Sequence, residues 1–142
     1  MLVGLDTNII YALDVDYPEN KKLNDLLLNL SPENKGGENP ATIREAYETL
    51  VFGEKWLPQE AAHAMRVLLE NPYVDFQNQT RKISNIALNL SFKYKLGGKD
   101  ALIVANCLAN QTHTLYTHDK TLLKLQKITW KNTNLTFKDP LR

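Results

Sequence analysis

Leu2-Val3-Gly4-Leu5-Asp6-Thr7-Asn8-Ile9-Ile10 is the stretch on which the fold turns. The run Leu2–Leu5 is too short for a helix and suits a buried strand. Asp6 closes it, Thr7-Asn8 can cap a helix, and Ile9–Leu13 is expected to form that helix. The pattern recurs downstream. Thr114-Leu115-Tyr116-Thr117 reads as a second buried strand, His118-Asp119 closes it, and Lys120–Leu125 is expected to be a short helix. Parallel strands end on one edge of their sheet, so Asp6 and Asp119 are expected together there, where open α/β sheets bind ligands.

Between and beyond these strands the period is mostly helical. Pro18 suits the start of a helix over Glu19–Leu30, with Leu23, Leu26, Leu27 and Leu30 at three- and four-residue spacing. Ser31–Pro40 holds two Gly and two Pro and is expected to be a flexible loop. Ala41-Thr42 opens either a short strand or a helix, and Ile43–Lys55 is helical by period, with Glu45 beside its apolar face. A helix follows from Pro58 to about Glu70, then a strand over Tyr73–Phe76, then a helix over Gln79–Lys95. Gly97-Gly98 stops that helix, Lys99–Asn110 forms the next, and Ile128–Phe137 holds one or two final strand segments. Strands separated by helices predict a parallel sheet covered on both faces, because crossovers between parallel strands need helices. No repeat or linker divides the chain, so residues 1–142 are expected to form a single domain.

The composition, 43% hydrophobic and 23% charged, is that of an ordinary globular protein. No apolar run approaches the roughly 20 residues that span a bilayer, and the first residues lack the basic region of a signal peptide. The expectation is a protein without membrane association. A single cysteine, Cys107, reads as a small core residue and fits a reducing cytoplasm. The net charge of +1 hides an asymmetry: residues 1–80 hold six Lys/Arg against thirteen Asp/Glu, and residues 81–142 hold eleven against three. Such a basic half suits a polyanionic partner, attraction between the two halves, or solvated helix faces.

Four acids stand at element boundaries: Asp6, Glu45, Asp100 and Asp119. Taken singly, each also reads as a cap, a helix-dipole partner or a solvated side chain. Taken together they suggest a cleft that needs a cation, since like charges at close range oppose one another's ionisation. His63, His113 and His118 are scattered and have no zinc spacing. All-oxygen donors suit Mg²⁺ or Mn²⁺, as one ion or two, and such ions suit phosphodiester chemistry. Asp6 and Asp100 are expected as ligands. Glu45 would hold a metal or orient a water, Asp119 would complete the site, and Asn8 and Thr117 would orient water or phosphate.

Four local words, in this order, resemble the acidic elements of PIN domains: Leu5-Asp6-Thr7-Asn8-Ile9-Ile10, Thr42-Ile43-Arg44-Glu45-Ala46-Tyr47, Gly98-Lys99-Asp100-Ala101-Leu102-Ile103-Val104-Ala105 and Leu115-Tyr116-Thr117-His118-Asp119-Lys120. The match covers Leu2 to about Phe137 and is similar to stand-alone VapC-type toxins. It implies a three-layer α/β/α sandwich around a parallel sheet and an acidic Mg²⁺/Mn²⁺ site made by Asp6, Glu45, Asp100 and Asp119. It further implies endoribonuclease activity on RNA, a cognate antitoxin and a homodimer. Arg44, Lys99 and Lys120 flank three of the acids and become candidates for phosphate contacts. Two departures stand out: Glu48, three residues after Glu45, competes for its role, and Ser31–Pro40 is Gly-rich. Alternatives are a nuclease of this fold that processes a specific RNA, and a catalytically silent binding domain. Asn8 stands where an aspartyl phosphatase needs its second Asp, which argues against that chemistry.

Overall fold

Parallel pairing organises the sheet. In the computed structural model, which describes residues 2–5 and 20–140, β1 (Leu2–Leu5) pairs in parallel with β2 (Lys35–Glu38) on one side and with β4 (Thr114–Tyr116) on the other. β3 (Val74–Phe76) extends the sheet beyond β2, and β6 (Thr133–Lys138) extends it beyond β4, both in parallel. β5 (Lys127–Trp130) closes one edge antiparallel to β6, giving the order β3-β2-β1-β4-β6-β5 among the described residues. The antiparallel edge has a simple cause. Only Lys131 and Asn132 separate the two strands, which permits a hairpin and no crossover. The helix expected over Ile9–Leu13, together with Asp6 and Asn8, lies outside the described residues.

Alternation along the strands sends the helices to both faces. A Cβ added at Gly4 would lie 2.6 Å from Cys107 Sγ, so that position faces α5 (Gly98–Ala109). α5 packs with α4 (Arg81–Tyr94) and α6 (Lys120–Leu125) in a core that includes Ile83, Leu90, Val104, Leu115, Leu122, Ile128 and Leu135. Leu5 points the other way, toward Gly36 and Leu30. That side carries α2 (Pro40–Glu48) and α3 (Pro58–Leu69), with Leu30, Ala46, Leu50, Ala61, Met65, Leu68 and Val74 buried together. α1 (Asn20–Leu28) joins the same side through Leu27. The three-layer α/β/α architecture expected from the sequence is present. No helix among the described residues is long and apolar enough to cross a membrane.

Two expectations are corrected. Ser31–Pro40 is not a simple loop, because Lys35-Gly36-Gly37-Glu38 forms β2 in the interior of the sheet. Its glycines serve close approach: a Cβ at Gly36 would lie 2.9 Å from Leu5 Cδ1, and one at Gly37 would lie 2.9 Å from Gln77 Nε2. The helix over Ile43–Lys55 ends early as an α-helix. α2 stops at Glu48, a single π-helical turn spans Thr49–Gly53, and Lys55 ends the segment in the left-handed region at φ 62°. α2 also starts at Pro40, which resolves Ala41-Thr42 as helix entry.

The contact between β1 and α5 yields a test. Gly4→Ala is expected to destabilise the protein by about 1–3 kcal/mol through overpacking against Cys107 and Leu115. Adding Cys107→Ala should recover part of that loss, read as the urea midpoint of each variant. An unchanged midpoint for Gly4→Ala would show that the strand and helix are not in tight contact.

Candidate functional site

Direction decides what meets at the carboxyl edge. α2 begins two residues after β2 ends, and α5 runs back against the strands toward β4, so both helices start at that edge. Glu45 sits in the second turn of α2, while Lys99 and Asp100 occupy the first turn of α5. Lys99 Nζ lies 2.8 Å from Glu45 Oε1. One helical turn beyond, Glu48 Oε1 accepts from Arg44 Nε at 3.3 Å. Glu45 and Glu48 differ in their partners: Glu48 pairs along its own helix, and Glu45 reaches across to α5. A cleft of about 530 Å³ lies between the two helices, lined by Asn39, Thr42, Arg44, Glu45, Glu48 and Lys99, with Gly98, Leu102 and Ile103 on the α5 side.

The pair that bridges this cleft is cheap to rearrange. The Lys99 side chain is 64% exposed and that of Glu45 28% exposed. Ion pairs so open to water contribute roughly 0–1 kcal/mol. Lys99 can therefore exchange Glu45 for another anion without a large penalty. Asp100 follows Lys99 and is half-buried in the first turn of α5, a position where the helix dipole favours negative charge. It does not line the cleft among the described residues.

Asp119 stands at the same edge by a different route. Its Oδ1 accepts from the Leu122 N–H at 3.0 Å and caps α6, and its own N–H donates to Thr117 Oγ1 at 3.0 Å. Thr117 is fully buried, and its N–H donates to the Lys138 carbonyl at 2.9 Å, which extends the β4–β6 ladder. Thr117 thus meets Asp119 through its hydroxyl and fixes where that backbone lies. Lys120 is exposed at the start of α6. Next to Asp119, His118 Nδ1 lies 2.9 Å from Asp139 Oδ1, which ties the end of β4 to the segment that leaves β6. Among the described residues no three His, Cys, Asp or Glu side chains converge closely enough to hold a metal ion, and Asp6 and Asn8 lie outside those residues. Cys107 is buried beside Gly4 and belongs to the core.

Sequence reasoning missed Glu38, Asn39 and the His118–Asp139 pair. Glu38 ends β2 at the carboxyl edge as Asp119 follows β4, and it is 1% exposed. Asn39 is buried, and its carbonyl accepts from both the N–H and the hydroxyl of Thr42 at the start of α2. The signal for Glu38 was an acid after a short run, hidden because Gly36-Gly37 reads as a loop. Asp139 had no signal, since its partner is 21 residues away.

The cap makes a prediction. Asp119→Ala is expected to cost about 1 kcal/mol of stability, and Asp119→Asn less, because Asn also caps. Chemical denaturation of the two variants checks this; equal stability of Asp119→Ala and the parent would remove the cap from the account.

The chain matches no family model and no curated protein. Solved structures do match. VapBC2 from Rickettsia felis, bound to a DNA fragment from their promoter, aligns at a TM-score of 0.73 and 17% identity over 98% of both chains. VapC20 of Mycobacterium tuberculosis, a sarcin-ricin loop cleaving toxin, aligns at 0.69 and 16% identity over 83% of this chain and 90% of its own. A toxin-antitoxin complex from Klebsiella pneumoniae aligns at 0.60 and 20% identity over 82% of this chain and 86% of the other. At these identities the likeness is one of fold, and the chain has the PIN-type α/β/α fold that these structures share.

Proposed function

We propose that this chain is a Mg²⁺- or Mn²⁺-dependent endoribonuclease, the toxin half of a toxin–antitoxin pair acting in the cytoplasm. The observation that carries the reading is the meeting of Glu45 with Lys99, next to Asp100, across a cleft at the carboxyl edge. The fold likeness supports it: VapC20 is a toxin that cleaves the sarcin-ricin loop, and the Klebsiella structure is a toxin-antitoxin complex.

The donor set fits a hard cation. Every carboxylate in it offers oxygen, and Glu45 Oε1 already receives a positive charge from Lys99. Mg²⁺ typically takes one or two carboxylates and keeps several waters, so the absence of a carboxylate trio among the described residues is compatible with it. In this reading Asp6, Glu45, Asp100 and Asp119 hold one or two ions. A bound ion supplies neutralisation of the phosphate and a water acidified toward neutral pH. The chain's own residues bind and orient. Arg44, Lys99 and Lys120 take phosphates on either side of the cut, Asn8 orients the attacking water, and Thr117 holds the backbone of Asp119. The cognate antitoxin covers the cleft. A second copy of the chain uses apolar surface exposed on α1 and α3, at Leu28, Val67 and Leu69.

RNA incubated with the purified protein should be cut with Mg²⁺ or Mn²⁺ and left intact with chelator. Asp6→Asn and Asp100→Asn should each lose more than the roughly 100-fold that removal of a supporting residue around a metal costs. Cleavage that survives chelator, or both substitutions, would falsify the reading.

Lys99 gives a second test that needs no turnover. Replacing it by Met removes the competitor for Glu45, so Mn²⁺ should bind several-fold more tightly by calorimetry while RNA binds more weakly. Unchanged Mn²⁺ affinity in Lys99→Met, together with unchanged affinity in Glu45→Gln, would mean that Glu45 is not a ligand.

A further inference from the structure

The far edge of the sheet gathers groups suited to a nucleic-acid strand. α5 has twelve residues and so spans roughly 18 Å from end to end, at 1.5 Å per residue. Beside its last turn is a second cleft, of about 270 Å³, whose polar and aromatic lining is Lys82, Asn85, Gln111, Trp130, Lys131 and Thr133. Two lysines, an asparagine, a glutamine, a threonine and a tryptophan line one space, and no Asp or Glu lines it among the described residues.

Folding does not favour either lysine where it stands. Lys82 occupies the first turn of α4, where the helix dipole opposes a cation, and Arg81 precedes it. Lys131 sits at the β5–β6 turn with φ 53°, a backbone region that suits Gly, Asn or Asp better. Trp130 borders the cleft and packs in part against the main core. An aromatic side chain and cations along one cleft are what bind single strands: cations follow the phosphates and a base stacks on the ring. The half of the chain that supplies the cleft carries eleven Lys/Arg against three Asp/Glu.

We propose that this cleft at the amino edge is an accessory site for single-stranded RNA, with a base stacked on Trp130 and phosphates at Lys82 and Lys131. It rests on the reading of RNA as substrate but not on the metal or the acids. One strand touches both clefts only if it is long enough to pass from one end of α5 to the other. Short substrates use the carboxyl-edge cleft alone.

Trp130 and Trp56 are the two tryptophans of the chain, which makes the site visible by fluorescence. Oligouridylate of about 16 nucleotides, titrated into the full-length protein in chelator, should quench emission saturably. Trp130→Phe should abolish the quenching, and Trp56→Phe should keep it. With two phosphates held, affinity should fall roughly sevenfold between 50 and 200 mM salt. Lys82→Gln with Lys131→Gln should remove most of that dependence. In cleavage, the same pair should raise KM on the long substrate and leave kcat on one of about 4 nucleotides unchanged. Quenching that persists in Trp130→Phe, or a salt dependence unchanged by the lysine pair, overturns the accessory site. Because binding is read without metal, its failure leaves metal-dependent cleavage standing. Loss of that cleavage in the parent protein would sink the nuclease reading while the quenching result still stands.

Discussion

Close approach at β1 is the constraint on which the rest depends. Gly4 lets α5 lie against the strand, with Cys107 and Leu115 filling the space a side chain would take. Gly36 lets β2 meet Leu5 and Leu30 on the opposite face. With the helices drawn in on both sides, the short strands of three to six residues remain covered. That packing sets the height of α5 against the sheet. The height of α5 in turn decides that Lys99 and Asp100 emerge at the carboxyl edge and Ala109 at the amino edge.

The carboxyl edge then carries a balance between charge and fold. Asp119 serves α6 as its cap, and Asp100 lies where the dipole of α5 favours it, so neither acid depends on a ligand to be tolerated. Glu45 differs. It projects from the second turn of α2 toward another helix, and what it meets there is a lysine largely open to water. A weak, exposed ion pair is a poor structural staple and a suitable exchange point for phosphate or a hard cation. The two clefts also differ in kind. The first mixes acids and bases, and the second holds bases, amides and an indole.

Much of this is legible in the sequence. The strand at Leu2–Leu5, the helices begun by Pro58 and Lys120 and the strand at Thr114 all follow from local period and turn chemistry. The glycine stop does not: α4 ends at Tyr94 with Lys95 in the left-handed region, while Gly97 precedes α5 and Gly98 is its first residue. β2 was not legible, because Gly-Gly means a loop when judged by propensity and a strand when two faces press on it. The π-helical turn after Glu48 was equally hidden, since Leu50 and Val51 continue a helical period through it.

The residue types determined the α/β class, the order of most elements other than β2 and the oxygen-only character of the acidic set, because these depend on near neighbours in the chain. Only the tertiary structure decided that Glu45 rather than Glu48 reaches α5, that Thr117 and Asp139 hold the end of β4, and that Lys82, Trp130 and Lys131 line one cleft at the opposite edge. Those pairings join residues 21 to 54 positions apart. Their geometry is set by where whole strands and helices come to rest, which no local pattern encodes.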